Sequence, residues 1–300
     1  MPTLCLFRTL LGATLIASAI PLLGACASRP EAPVIRPLDD SATAATAARL
    51  DAILPADILL LGEQHDAPEH QQIQQQVIAL LASRGLLAAV GLEMSDAGAS
   101  TAKLKPSSTE QQAQAALRWD HQAWPWAAYG PAVMTAVRAG VLVLGANLPR
   151  LRWPGSMLDN KLDGQLPGPA LKAQQQLIRM GHCNLLPESR INPMTRLQIA
   201  KDISMASTLS QATVPGKVVV LLSGYGHADR FLGVPQHLSA NLDIKSVRLR
   251  AGPAEGGDNA GAFDSVWATP ALPETDSCAG LQEQLAPRGT APLPPVLTRP

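Results

Sequence analysis

The sequence predicts an α/β fold in which a mainly parallel sheet is flanked by helices and accompanied by a smaller helical subdomain. Short, almost continuous apolar runs alternate along the chain with segments in which apolar residues recur at helical spacing. Runs of the first kind are typical of parallel strands that are covered on both faces. Apolar residues make up 46% of the 300 residues, which is enough for a sizeable core.

These patterns place each strand and helix in turn. The predicted strands cover residues 58–61, 86–94, 141–146, 217–223 and 244–249. The predicted helices cover about residues 67–84, a segment that starts near 107–110, and residues 131–139, 168–180 and 193–211. Asp66 is placed to cap the first helix, and Asn192 and Pro193 are placed to begin the last. Residues 150–212 lack a clear strand, so we expect a helical insertion there.

Residues 1–26 have the features of a bacterial lipoprotein signal peptide. One basic residue, Arg8, precedes an apolar run that is short for a membrane span. The run ends in Leu23-Gly24-Ala25-Cys26, which looks like a lipobox whose cysteine accepts a diacylglyceryl group. No aspartate follows Cys26. By resemblance to bacterial lipoproteins this favours the outer membrane, with the protein facing the periplasm or the cell surface. The alternatives are a plain secretory signal or a buried helix.

The segments outside the predicted fold are rich in Pro, Ala and Ser. Residues 27–48 predict a tether, and residues 286–300 predict a proline-rich, disordered tail. Two cysteines, Cys183 and Cys278, remain once the signal peptide and Cys26 are set aside. In an oxidising periplasm they are candidates for a disulfide. The sequence gives no distance between them, so free thiols remain the alternative.

Composition and motifs exclude several function classes. Lys plus Arg and Asp plus Glu both number 24, and a protein that binds nucleic acid through charge normally shows a basic excess. The sequence also contains no HExxH, CxxC, GxSxG, P-loop or GxGxxG motif. Common hydrolase, nucleotide-binding and dinucleotide-binding assignments therefore lack support.

Polar residues follow the predicted strands at their carboxyl ends, where open parallel sheets bind ligands. These residues are Glu63 and His65 after the first strand, Glu93 after the second, Arg150 after the third and His227 after the fourth. Such a cluster can hold a divalent metal, with His65, His227 and Glu93 as ligands. It can equally act as a base and an orienting acid without metal. Taken singly, each residue is more often a solvated carboxylate or a structural histidine.

Two further segments carry candidate residues. His182 follows the end of a predicted helix and is either a cap or a group that reaches a neighbouring cleft. Residues 117–131 contain three tryptophans, His121 and Tyr129. Such aromatic residues usually pack helices together. They can also line the site of a flat apolar ligand, with Tyr129 or His121 as an axial donor to iron.

The order of the motifs resembles a known family. The chain contains LLGEQHD, GLEM, WPWAAYGPAV, GANLPR, GHCNLLP, QIAKDISMA, GYGHADRFLGVPQHL and DSVWATPALPETDSCAGL in sequence. This series resembles the ChaN-like, iron-regulated haem-binding lipoproteins of the Tiki/TraB/erythromycin-esterase superfamily, over roughly residues 50–285. Residues 49–250 then form the ChaN-like domain, and residues 251–285 form a C-terminal, family-like extension.

The resemblance implies haem binding for iron uptake at the outer membrane, in a homodimer that holds paired haems. An outer-membrane haem receptor is an implied partner. The resemblance also implies a tyrosine as iron ligand, supported by a histidine of the partner subunit. The chain has two tyrosines, Tyr129 and Tyr225, and the motifs do not decide between them. Arg150 and His182 are further candidates for holding the cofactor.

The wider superfamily implies a different function. Two G-x-x-H motifs and a glutamate mark its catalytic centre, and they match Gly62–His65, Gly224–His227 and Glu93. Many relatives carry a second histidine after the one that matches His70, whereas this chain has Gln71, which weakens any role of His70. The alternative to haem binding is therefore a periplasmic metal-dependent protease or esterase that uses Glu63, His65, Glu93 and His227. A scaffold lipoprotein that keeps the cleft as ancestry is a third possibility.

Overall fold

The computed structural model describes residues 40–253, 261–274, 276 and 278–279. Cys26, the predicted signal peptide and the predicted tail from residue 286 lie outside these ranges. Within them, no helix is both long and apolar enough to span a membrane.

The described residues form a parallel sheet of six strands in the order β3-β2-β4-β1-β5-β6. This confirms the predicted α/β class. Every residue of the central strands β1 and β4 is buried, which explains why both appear in the sequence as almost uninterrupted apolar runs. The strands are β1 (Ile58–Glu63), β2 (Leu87–Asp96), β3 (Leu142–Asn147), β4 (Val218–Gly224), β5 (Ile244–Ala251) and β6 (Ser265–Thr269).

Helices cover both faces of the sheet. The side chains of β1 alternate between two cores, with Leu59 and Leu61 in one and Ile58 and Leu60 in the other. The first core lies under α2 and α4, and the second lies under α7 and α8. The helices are α1 (Asp40–Asp51), α2 (Pro68–Ser83), α3 (Glu110–Ala116), α4 (Trp126–Arg138), α5 (Trp153–Leu158), α6 (Gly168–Gly181), α7 (Glu188–Ala212) and α8 (Tyr225–Ala228).

Residues 150–212 are helical, as the missing strand pattern predicted. Helix α7 anchors this insertion, because Met205 and Leu209 are fully buried in the second core of the sheet. Nearer its amino end, Leu197 and Ala200 form a small separate core with Leu148. The insertion therefore shares its longest helix with the layer that covers the sheet.

The predicted tether is wrong in its last part, because α1 begins at Asp40. Thr46 and Leu50 are buried, and the Thr46 hydroxyl donates to Oε1 of Gln76 in α2 at 2.5 Å. The composition was misleading because alanine is common in tethers and is also the residue with the highest helix propensity.

The starts of α2 and α4 also differ from the predictions. Ala67, not Asp66, is the N-cap of α2, and no side chain caps the helix, because alanine has no side-chain oxygen to accept an N–H of the first turn. Pro68 at the first helical position removes one N–H that would lack a partner. Helix α4 begins at Trp126, five residues before the predicted start at Pro131. The Trp126 indole N–H donates to Glu110 of α3 at 2.9 Å, and this long-range contact stabilises the first turn.

Helix α7 begins at Glu188, ahead of the predicted start at Asn192 and Pro193. The Glu188 carboxylate pairs with Arg179 of α6, and Ile191 is buried, so tertiary contacts hold the turn that precedes the proline.

The C-terminal extension contributes β6, an edge strand that the sequence did not predict. Beyond β6, Cys278 forms a disulfide with Cys183 in the turn between α6 and α7, across a separation of 95 residues. The bond therefore ties the end of the described chain to the helical insertion.

Candidate functional site

The carboxyl ends of β1, β2 and β4 meet at one edge of the sheet and enclose a cavity of about 680 Å³, which we call the central cavity. The structure brings together in it all the residues that the sequence placed at these strand ends. Residues that line the central cavity include Glu63, His65, Glu93, Lys201, Tyr225 and His227.

Two glycines permit this close packing. A Cβ atom on Gly62 would lie 2.6 Å from the Cα atom of Tyr225, and one on Gly224 would lie 2.9 Å from Nε2 of His65. Real Cβ atoms do not approach other atoms so closely. Glycine at both G-x-x-H motifs therefore lets α8 and the His65 ring pack directly against the strands.

His227 lies between two buried carboxylates. Its Nε2 lies 3.3 Å from Oε1 of Glu93, and its Nδ1 lies 2.5 Å from Oδ1 of Asp202 in α7. Glu93 also accepts the backbone N–H of Gly224 at 2.8 Å. The second oxygen of Asp202 is buried and has no hydrogen-bond partner among the described residues. Each ring nitrogen of His227 therefore faces a carboxylate oxygen. This arrangement stabilises the protonated imidazolium, which donates from both nitrogens.

Charge outweighs burial in setting the pKa values of His227 and Glu93, but not that of Asp202. Burial works to lower the pKa of His227, but the charges of Glu93 and Asp202 raise it to about 10. Burial also works to raise the pKa of Glu93, but the positive charge of His227 and its hydrogen bond keep the pKa well below its usual range. For Asp202 burial prevails over the attraction of His227, so the pKa rises to about 6. At neutral pH, His227 is held in its charged form.

His65 is more accessible, with 41% of its side chain exposed. Its Nδ1 lies 2.8 Å from Oε1 of Glu63, and its Nε2 faces the central cavity 3.9 Å from Oε2 of Glu93. Burial works to lower the pKa of His65, but the hydrogen bond to Glu63 and the charges of Glu93 and Glu63 raise it above its usual value. This is a carboxylate-oriented imidazole whose outer nitrogen is available to a ligand.

Gln71 completes the surroundings of Glu63. Its amide donates to Oε2 of Glu63 at 2.9 Å, so both oxygens of the Glu63 carboxylate have hydrogen-bond partners.

The neighbouring His70 is fully buried, and its Nδ1 accepts the backbone N–H of Gln64 at 3.0 Å. Its Nε2 contacts the Thr269 hydroxyl in β6 at 3.1 Å. His70 is therefore a structural residue, in keeping with the departure at Gln71.

The two tyrosines lie in very different places. Tyr129 in α4 is 1% exposed, and its hydroxyl donates to Oε1 of Glu63 at 2.7 Å. Burial and the negative charge of Glu63 raise its pKa far above the usual value, which keeps it a neutral phenol. Tyr225 lines the central cavity and is 41% exposed. The guanidinium of Arg248 lies 4.6 Å from the centroid of the Tyr225 ring.

Arg150 lies in a second cavity of about 280 Å³, which shares Glu93 and Lys201 with the central cavity. We call it the arginine–lysine cavity. It is lined by residues that include Glu93, Asp96, Arg118, Asp120, Trp124, Asn147, Arg150, Trp153 and Lys201.

Two other candidate histidines lie outside these cavity linings. His182 is the C-cap of α6, with Nδ1 2.8 Å from the carbonyl oxygen of Ile178, which is the capping alternative given by the sequence. His121 is exposed to solvent.

A smaller cavity of about 210 Å³ lies between α2 and α4. Its walls are largely apolar and include Pro68, Pro125, Ala128 and Pro131. His65 lines both this cavity and the central cavity, and the edge of its ring contacts Trp124. Apolar surface is therefore available beside the polar site.

Sequence reasoning missed the contribution of α7. Gln198, Lys201 and Asp202 lie at positions i, i+3 and i+4 and so share one helical face, which points at the site. The motif QIAKDISMA contained this signal, because a lysine and an aspartate on the face that also carries apolar residues are unusual in a helix that covers a sheet.

The geometry does not favour a metal centre. No group of three or more His, Cys, Asp or Glu side chains in the described part of the chain is arranged to hold a metal ion. Of the ligands predicted from the sequence, His227 directs its two ring nitrogens to the carboxylates of Glu93 and Asp202.

The fold and the site together define an α/β protein with a ligand cavity at the carboxyl edge of a parallel sheet. The family described as "Haem-binding uptake, Tiki superfamily, ChaN" matches residues 49–238. The chain belongs to this family, as the motifs in the sequence indicated.

The chain is also similar to solved structures. One is ChaN of Campylobacter jejuni, described by its cofacial heme binding, with 26% sequence identity and a TM-score of 0.58 over 70% of this chain and 87% of that chain. The type III effector HopBA1 has 15% identity and a TM-score of 0.44 over 72% of this chain and 88% of that chain. Comparison with curated proteins gives no match.

Proposed function

We propose that this protein binds haem in the central cavity for uptake, with the Tyr225 hydroxyl oxygen as the axial ligand of the iron. One observation carries the choice of ligand. Tyr225 lines the cavity and is 41% exposed, whereas Tyr129 is buried and donates to Glu63. An axial ligand must be accessible to the iron from the cavity. Of the two tyrosines, Tyr225 meets that condition.

The residues of the cavity fit haem. Tyrosine and histidine are established axial donors to haem iron, and the cavity offers Tyr225 together with the outer nitrogen of His65. Its volume of about 680 Å³ lies within the roughly 300–1,000 Å³ of typical cofactor sites. When bound, haem supplies the iron that is carried. Arg248 beside Tyr225 would stabilise the negative charge of a phenolate ligand.

The family supports the proposal independently, since its description is haem-binding uptake. The similar ChaN of Campylobacter jejuni is described by cofacial heme binding. By analogy we propose that this chain forms a homodimer when loaded. Light scattering after size-exclusion chromatography, with and without haemin, would test this, and a loaded monomer would contradict it.

The ligand is tested by titrating the protein with haemin and recording the Soret band. The wild type is expected to shift the band, and Tyr225→Phe is expected to lose the shift. Tyr129→Phe is the matched control, because it removes the same hydroxyl from the other tyrosine and is expected to keep the shift. An unshifted wild type would refute haem binding, and a loss confined to Tyr129→Phe would refute the choice of ligand.

We propose further that Cys26 carries the lipid and anchors the protein in the outer membrane. The support is the lipobox-like Leu23-Gly24-Ala25-Cys26. Labelling of cells with radioactive palmitate, followed by membrane fractionation, tests it. Label in the wild type and none in Cys26→Ser is expected, while equal label in both would contradict the anchor. A haem receptor in the outer membrane is the partner that such a location would require.

Glu63 and His65 favour a second candidate function, a hydrolase that needs no metal. The carboxylate orients the imidazole, whose outer nitrogen faces the cavity and can accept a proton from water. Turnover of ester or peptide substrates that rises with pH through the raised pKa of His65, and that is lost in His65→Gln, is the expected result. Absence of turnover by the purified wild type across an ester and peptide panel would remove this candidate.

A further inference from the structure

We infer that the arginine–lysine cavity is a carboxylate-binding subsite that takes one propionate group of a haem bound in the central cavity. This inference rests on the proposed haem function. The two cavities adjoin at Glu93 and Lys201, which line both. A ligand that fills the central cavity can therefore extend a side group into the arginine–lysine cavity.

Two cations of this cavity lie against one aromatic ring. The Lys201 ammonium lies 4.8 Å and the Arg150 guanidinium 5.6 Å from the centroid of the Trp153 ring. The Trp153 indole N–H donates to the carbonyl oxygen of Leu148 at 3.0 Å, which fixes the ring. The two charges are thus positioned by cation–π contacts before any ligand arrives.

Most acceptors in the cavity are already satisfied within the protein. Asp120 lies 3.3 Å from Arg150 and accepts the backbone N–H groups of Gln122 and Ala123 at 3.0 and 3.3 Å. Oε1 of Glu93 lies 3.3 Å from Nε2 of His227. These carboxylates have little remaining capacity to neutralise the other cations of the cavity.

The amide of Asn147 is saturated as well. It donates to the carbonyl oxygen of Glu93 at 2.8 Å and accepts the backbone N–H of Leu148 at 2.8 Å. It therefore does not compete for a ligand carboxylate.

Two cations of the cavity have no close carboxylate partner among the described residues. Lys201 and Arg118 make no ion pair with a described carboxylate. Of the three carboxylates that line the cavity, Asp120 and Glu93 have ion pairs and Asp96 makes none with a described residue. Lys201 and Arg118 can therefore donate to a ligand carboxylate through charge-assisted hydrogen bonds.

The walls of the cavity favour a carboxylate attached to an apolar body. Trp124 and Trp153 provide aromatic surface beside the cations. Haem has this chemistry, because its propionates project from the edge of an apolar ring. We therefore assign this cavity to the propionate edge and the central cavity to the iron.

The test measures Soret titrations with haemin and with haemin dimethyl ester, whose propionates are blocked. The proteins are the wild type, Lys201→Met, Arg118→Gln and the control Lys217→Met, which removes an exposed lysine just before β4, at the opposite edge of the sheet. We expect the wild type to bind the diester about tenfold more weakly than haemin, which corresponds to about 1.4 kcal/mol. Lys201→Met and Arg118→Gln should lose a similar factor for haemin and almost nothing for the diester. Lys217→Met should behave as the wild type.

The outcomes separate this inference from the proposed function. If the wild type binds neither compound, both fail. If it binds haemin but neither variant changes the ratio of haemin to diester affinity, the propionate subsite fails and the haem function stands. An equal loss for both compounds in the variants would also overturn the subsite, because it would show a general structural effect.

Discussion

Tyr129 donates its hydroxyl hydrogen to Glu63 across 2.7 Å, although the two residues are 66 positions apart in the chain. The bond joins α4 to the end of β1 and is fully buried. It holds Glu63 in the orientation that contacts His65. Tyr129 therefore supports Glu63 in this structure.

Tyr129→Phe should therefore lower stability rather than abolish ligand binding. Glu63 would keep His65 and Gln71 as partners but lose one buried hydrogen bond, which costs about 1–2 kcal/mol. Urea denaturation followed by circular dichroism measures this. Tyr225→Phe removes a half-exposed hydroxyl and should change stability by less than about 0.5 kcal/mol. An equal loss in both variants would contradict the assignment.

His227→Gln should be strongly destabilising. The substitution leaves Glu93 and Asp202 buried together without a balancing positive charge, and breaking a buried pair costs about 3–5 kcal/mol. Adding Asp202→Asn to His227→Gln should recover part of this loss, because it removes one of the two stranded carboxylates. A double variant no more stable than the single one, in urea denaturation, would argue against charge as the cause.

His70 should make stability depend on pH in acid. Its imidazole is neutral in the fold because Nδ1 accepts the N–H of Gln64, and burial lowers its pKa to about 4 from the ordinary 6.5. Between these values the unfolded chain binds a proton that the folded chain does not. The contribution is therefore fully present above pH 6.5 and is lost as the pH falls toward 4, with a slope of at most about 1.4 kcal/mol per pH unit.

The measurement compares urea midpoints of wild type and His70→Gln at a series of pH values from neutral to about 4. Glutamine cannot be protonated, so the difference between the two proteins should shrink as the pH falls. A difference that stays constant would mean that His70 does not titrate in this window.

The disulfide should stabilise the described fold mainly by restricting the unfolded chain. It closes a loop across 95 residues, and a bond of this kind contributes about 2–4 kcal/mol. The double variant Cys183→Ser with Cys278→Ser should lose this amount in urea denaturation. Dithiothreitol should lower the stability of the wild type by a similar amount and leave the variant unchanged, and an effect on the variant would show another cause.

Much of the fold could be predicted from local patterns. β1 and β4 were recognised because strands buried on both faces have apolar side chains at nearly every position. Helix starts were predicted less well. Two helix starts depend on contacts between side chains: Trp126 bonds to Glu110, and Glu188 pairs with Arg179. The helix propensity of the first-turn residues does not include such contacts. β6 was missed because an edge strand of five residues carries little pattern.

The sequence by itself determined that polar residues would gather. Parallel strands present their carboxyl ends at one edge, so the order of the strands and their last residues already place Glu63, Glu93 and His227 near one another. Only the tertiary structure decided what each residue does there. The roles of Tyr129 and Tyr225 depend on which helix covers which side chain, and α7 supplies Asp202 from a segment without a strand signal. Burial and partner identity are set by long-range packing, and no local pattern encodes them.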